Sequence, residues 1–146
     1  MKKVYFFLFV CGLTGLGACR PGPTPFVYGK DICYTCKMGI IDPKFGAELI
    51  TKKGKLYKFD DVICLNQYLK TGATEEKEIR QTVVVNFEKG NEFLDIHTAS
   101  FLVAPDLKSP MGSHAAAFAT KTNAEKARQE IKGELLNWKE LSAKLE

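Results

Sequence analysis

The chain of 146 residues is short of most things that would assign it to a common class of enzyme or nucleic-acid binder. It contains only 2 histidines, 3 methionines and 1 tryptophan. No Gly-rich phosphate loop is present, which removes the usual nucleotide cradle. Ser113-His114 lacks the sequence context of an acyl-transfer nucleophile. A zinc ribbon needs two Cys-x-x-Cys pairs, and there is one. Charge of one sign is also missing: 21 basic and 17 acidic side chains are interspersed, and without Lys2 and Lys3 the net charge is +2. That is an ordinary solvated surface, not a footprint for nucleic acid. Long apolar runs are absent as well. The longest, Val4–Val10 with a weak continuation to Leu16, is too short to span a bilayer stably.

That run has another use. Lys2 and Lys3 before it and Leu16-Gly17-Ala18-Cys19 after it form a secretory signal ending in a lipobox-like site. Residues 1–18 are expected to be removed and Cys19 to be acylated, an anchor and not a span. Residues 19–30 then form a tether whose Arg20-Pro21-Gly22-Pro23-Thr24-Pro25 is semi-extended. Arg20 in place of the Asp of inner-membrane retention favours the outer membrane where there are two, with the domain in the periplasm or outside the cell. Of 5 cysteines, Cys11 leaves with the signal and Cys19 carries lipid. Cys33, Cys36 and Cys64 remain, an odd number for an oxidising compartment and so a flag for reactivity or metal binding.

The remainder alternates short strands with helical stretches. Ala47–Thr51 and Lys55–Phe59 read as strands joined at Lys53-Gly54. Asp60 and Asp61 read as caps for a helix whose apolar face is Val62, Leu65, Tyr68 and Leu69, with Gly72 as its stop. Thr82–Phe87 is a β-branched strand and Glu88–Asn91 a turn. In the second half, Phe93–Val103 reads as a strand interrupted near Thr98-Ala99, and Ala115–Thr120 as another. Thr122-x-x-Glu125 forms a capping box for a helix stopped by Gly133. Glu134–Trp138 is a short strand, and Trp138, Leu141 and Leu145 mark a final helix. The expectation is an α+β fold of two small ββαβ units, 31–88 and 89–146, which share a core because neither buries enough alone.

Two patches carry chemistry. Cys33-Tyr34-Thr35-Cys36-Lys37-Met38 places two thiols and a thioether within six residues, and soft sulfur donors select soft ions, Cu(I) above all. A thioredoxin-like pair would open a helix, whereas Gly39 and Asp42-Pro43 follow here. A structural disulfide has no use for Met38. Ser109-Pro110-Met111-Gly112-Ser113-His114 adds a thioether and an imidazole in a loop, off core spacing. Cys64 is either a small buried residue or a further thiol near the site. His97 is expected to face solvent.

Three motifs in order resemble the NosL family, accessory lipoproteins of nitrous oxide reductase maturation. They are Cys33-x-x-Cys36-x-Met38-Gly39-Ile40-Ile41-Asp42, then Gly54-Lys55-x-x-Lys58-Phe59-Asp60-Asp61-x-x-Cys64, then Pro110-Met111-Gly112-x-His114-x-Ala116-x-Phe118-Ala119. The resemblance runs from about Asp31 to Trp138. It implies two ββαβ units similar to part of organomercurial lyase. It implies an exported Cu(I) chaperone, not an enzyme, with nitrous oxide reductase and an ABC-type membrane maturation complex as partners. The family's metal donors carry over by position to Cys33, Cys36, Met38, Met111 and His114. The Gly usual before the first Met is Lys37 here, which restricts the local backbone. Two other classes stand beside this one: a thiol–disulfide oxidoreductase acting on copper-site cysteines, and a structural lipoprotein with a Cys33–Cys36 disulfide.

Overall fold

The computed structural model describes residues 22–145, so the signal segment, Cys19 and the first part of the tether lie outside the described residues. Its strands are β1 (Ala47–Thr51), β2 (Leu56–Phe59), β3 (Ile79–Asn86), β4 (Lys89–Asp95), β5 (Ser100–Val103), β6 (Ala115–Phe118) and β7 (Glu134–Leu136). The helices are α1 (Val62–Lys70), α2 (Lys121–Glu130) and α3 (Trp138–Lys144). None of the described helices is long and apolar enough to cross a membrane.

The strands form one sheet in the order β2-β1-β3-β6-β5-β7, with β4 also paired to β3. Every pairing is antiparallel except β3 with β6, which is parallel and consists of the single pair Asn86↔Ala117. β4 occupies one edge of β3 from Val83 to Asn86, so β6 takes the edge that β1 leaves free beyond Val84. The segments β1-β2-α1-β3 and β5-β6-α2-β7 are each ββαβ and meet at that junction; the expected turn at Glu88–Asn91 is instead largely the start of β4, which pairs with β3 of the first segment. The run 93–103 divides at the anticipated break: Ile96–Thr98 is a turn, and exposed His97 lies in it instead of in a strand.

Alternation along the strands builds a core on each face. Phe101, Ala115 and Ala117 join Leu49, Phe59, Leu65, Ile96, Trp138 and Leu141 on the face covered by α1 and α3. Leu102, Ala116 and Phe118 face the other way, onto Ala124 of α2 and Leu107. Each of the leucines, isoleucine and phenylalanines among them stabilises the fold by roughly 1.5–3 kcal/mol relative to an exposed one.

Three helix-boundary expectations need correction. α2 begins two residues early: Thr120, not Thr122, is its N-cap and accepts from the Asn123 amide at 3.1 Å. β6 ends at Phe118 and Thr120 is extended, so the first free amides fall within its reach. Asn137 terminates β7 earlier than Trp138, because Asn137 and Glu140 form a reciprocal capping box that starts α3 at Trp138. At α1 only Asp61 is the cap, accepting from the Ile63 amide at 3.3 Å. Asp60 does something else.

Candidate metal centre

Residues 27–41 fold back as a short hairpin on the edge formed by β2. Gly29 donates to the Ile40 carbonyl at 2.8 Å and Ile40 to the Asp31 carbonyl at 2.9 Å. Cys33 donates to the Met38 carbonyl at 2.8 Å, and Lys37 closes the turn onto the Cys33 carbonyl at 3.0 Å. Lys37 sits at φ 65, in the left-handed region that favours glycine. The two residues between the thiols anchor the turn. The Tyr34 amide donates to the Lys58 carbonyl of β2 at 2.8 Å, and the Thr35 hydroxyl donates to the Cys64 carbonyl of α1 at 2.9 Å. The Tyr34 ring packs edge-on against Tyr57 and Tyr68, with centroids 4.8 and 5.4 Å away.

These anchors put Cys33 and Cys36 over the first turn of α1. The sulfurs of Cys33, Cys36 and Cys64 and a carboxylate oxygen of Asp60 all lie within 4.8 Å of one another. Cys33 and Cys64 are fully buried, Asp60 nearly so, and Cys36 half-buried at the mouth. All three cysteines are free thiols. The Cys36 thiol donates to both Asp60 oxygens at 3.6 Å. A hydrogen bond from the Cys64 thiol outweighs burial and draws Cys33 down to about 6. The same bond, with burial, pushes Cys64 well above the ordinary thiol range, and burial raises Cys36. The Cys64–Cys33 hydrogen bond therefore favours the thiolate at Cys33 over Cys64.

Of the residues the sequence nominated, Cys33 and Cys36 fall in this cluster. Met38 is two residues beyond Cys36 and 48 % exposed. Met111 packs against the same core cluster that contains Cys33 and Cys64. Its amide donates to Asp61 Oδ2 at 3.0 Å, so the 109–114 loop docks beside the residue that follows Asp60. His114 ends that loop at φ 54 and lies outside the four-group cluster. Its Nδ1 donates to the Leu107 carbonyl at 2.7 Å, since a carbonyl can only accept. The two candidate segments are thus linked only through the Asp60-Asp61 doublet, Asp60 accepting from Cys36 and Asp61 from the Met111 amide.

Asp60 is the residue that sequence reasoning missed. A helix needs one cap, and the Asp60-Asp61 doublet offers two; the surplus carboxylate was the signal. Cys64 resolves both of its alternatives, being part of the buried core and part of the cluster.

The NosL family profile matches residues 26–145. No curated protein matches the chain significantly. Among solved structures, the crystal structure of the copper chaperone NosL from Shewanella denitrificans is similar, at 21% identity and a TM-score of 0.61, over 82% of this chain and 96% of that one.

Proposed function

The chain belongs to the NosL family, and from that premise we propose that it is a Cu(I) carrier of the cell envelope, held to the membrane through acylated Cys19. Its copper would serve assembly of the copper centres of nitrous oxide reductase, together with an ABC-type membrane maturation complex. The observation that carries the reading is the pocket of three thiols and one carboxylate within 4.8 Å. Three sulfurs at such spacing suit a soft, low-coordinate ion; a carboxylate is a hard donor and contributes little to Cu(I). Cys33, Cys36 and Cys64 are the inner ligands in this reading, and Asp60 orients the Cys36 thiol through its hydrogen bonds. Met38, Met111 and His114 are the outer donors that copper meets on its way to an acceptor.

The mechanism is exchange of ligands, with no bond made or broken in the cargo beyond coordination. A site with three donors leaves room for an acceptor's ligand to add before one of its own departs. Cys36 at the mouth is the ligand to leave first; fully buried Cys33 and Cys64 hold longest.

Titrating the reduced chain, beginning at Gly22, against a chromogenic Cu(I) competitor tests this. One copper per chain is expected, with affinity reduced at least ~10-fold by Cys33→Ser or Cys64→Ser, about 1.4 kcal/mol or more. Absence of Cu(I) binding would reject the carrier role. If Met111→Leu with His114→Ala altered neither affinity nor the rate of release, the second half of the chain would have no part in copper handling.

A further inference from the structure

The described residues expose five large apolar side chains, Val27, Ile32, Tyr34, Met38 and Ile41, and all five lie on the one hairpin that carries Cys33 and Cys36. Ile41 is 72 % exposed and Ile32 is 55 % exposed. Scattered single exposures are ordinary, but this concentration is not, and contiguous apolar patches on soluble domains mark contact surfaces. The exposed charges of this segment itself have one sign. Between Gly22 and Phe45 the only exposed charged side chains are Lys30, Lys37 and Lys44. Asp31 is held by Lys58 at 2.7 Å, and Asp42 is half-buried and accepts from the Lys44 amide. Lys30, Lys37 and Lys44 have no carboxylate within 4.0 Å among the described residues.

We propose that this hairpin is the docking surface for a metal-accepting protein whose own face is apolar and rimmed by carboxylates. The inference rests on the copper-carrier reading and names the kind of partner that reading requires. Exchange demands that the acceptor's ligand reach Cys36, the half-buried thiol of the cluster, which the same hairpin carries between Tyr34 and Met38 in the chain. Apolar contact supplies the dwell time. Opposite charge speeds the encounter and fixes orientation. Seating a partner there also removes water from the mouth of the site while copper moves.

Two short fluorescein-labelled peptides serve as probes. Each carries a Met-x-x-Met pair among leucines, one flanked by aspartates and the other by lysines. Binding to the chain beginning at Gly22, which contains every described element, is read by anisotropy; Cu(I) affinity is read in parallel by competition. The aspartate-flanked peptide is expected to bind roughly tenfold more tightly, with the advantage fading as salt is added. Ile32→Asp with Ile41→Asp should abolish that binding while copper affinity is unchanged. Lys30→Glu with Lys44→Glu should turn the preference toward the lysine-flanked peptide, an outcome independent of the first variant's folding. Equal binding of both peptides, or indifference to both double variants, overturns the proposal. So does binding of the hairpin to phosphatidylglycerol vesicles in place of the peptide, or self-association lost in the Ile32→Asp/Ile41→Asp chain. Copper binding that fails while the charge-dependent peptide binding holds would reject the carrier reading and leave the docking surface standing.

Discussion

Glu48 lies in the middle of β1 with no exposed surface. Its Oε2 accepts from the Thr24 amide at 3.0 Å, while Oε1 has no hydrogen-bond partner among the described residues. The nearest cation is Lys58, 3.8 Å from Oε1, and Lys58 is committed to Asp31 at 2.7 Å. Burial therefore dominates, and the carboxyl is pushed up from 4.5 to about 7. The sign follows from proton linkage. A raised folded value means that the folded chain binds the proton more tightly than the unfolded one, so folding is favoured below pH 4.5 and loses that benefit as pH rises through 7. The gap corresponds to about 3 kcal/mol between acid and pH 8.

Glu48→Gln isolates the effect. Glutamine keeps the shape and the acceptor for Thr24 but cannot ionise. Set against the lost attraction to Lys58, the expected gain is about 1–2 kcal/mol at pH 8, and none at pH 4. Urea denaturation of both chains at several pH values checks it through the midpoints at constant slope. The difference between the two curves removes every other titrating group. A Gln variant destabilised more at pH 8 than at pH 4 would refute the reasoning, because Glu48 would then act as a charged partner and not as a buried burden. The outcome also bears on the site, since Thr24 and Asp31 bracket the chain entering the thiol hairpin.

Four further outcomes follow from the same contacts. Asp61→Ala removes the α1 cap and the acceptor for the Met111 amide, a loss of roughly 2–4 kcal/mol measurable by urea denaturation, with Asp61→Asn intermediate. Gly133→Ala would place a Cβ 2.3 Å from the Val103 carbonyl oxygen, and should cost more than ~3 kcal/mol or prevent folding, judged by circular dichroism. Gly112→Ala meets open space at φ +76 and should cost only ~1 kcal/mol, for conformation alone. Lys37→Gly relieves the left-handed strain at φ 65 by about 1 kcal/mol, less what the Lys37 ammonium gains over the Tyr34 ring, seen as a raised melting temperature.

Much of this fold was legible because its signals are local. The Lys53-Gly54 turn, the Gly72 stop and the break before Ser100 each depend on a few neighbouring residues, and each stands where periodicity and turn chemistry put it. Cys33-x-x-Cys36 was legible for the same reason. The third sulfur was not, since Cys64 falls on an apolar helix face where packing and ligation leave the same trace in sequence. Only the hydrogen bonds of Tyr34 to β2 and Thr35 to α1 decide that the hairpin closes over that face. Those are long-range contacts made by residues whose identities do not announce them. The single pair joining β3 to β6 is equally silent, as Asn86 and Ala117 have no complementary chemistry to reveal it.

The Asp60-Asp61 doublet ties three separate segments together: the thiol hairpin, α1 and the 109–114 loop. Asp61 is extended, at φ −152 and ψ 152, and successive side chains of an extended chain point to opposite sides. Asp60 therefore turns to the thiols and accepts from Cys36, while Asp61 turns to the helix start and to the 109–114 loop. Exchanging the two functions is impossible without moving α1. A chain with Asp60→Asn should keep its cap, its loop and its stability to within about 1 kcal/mol, because the amide oxygen still accepts from the Cys36 thiol. Asp61→Asn should leave the thiols untouched and loosen the loop. Hydrogen exchange separates the two variants: faster exchange at the Met111 and Ser113 amides is expected in the second and not in the first. Equal protection in both would show that the doublet does not divide its work in this way, and that the loop is held by its own contacts.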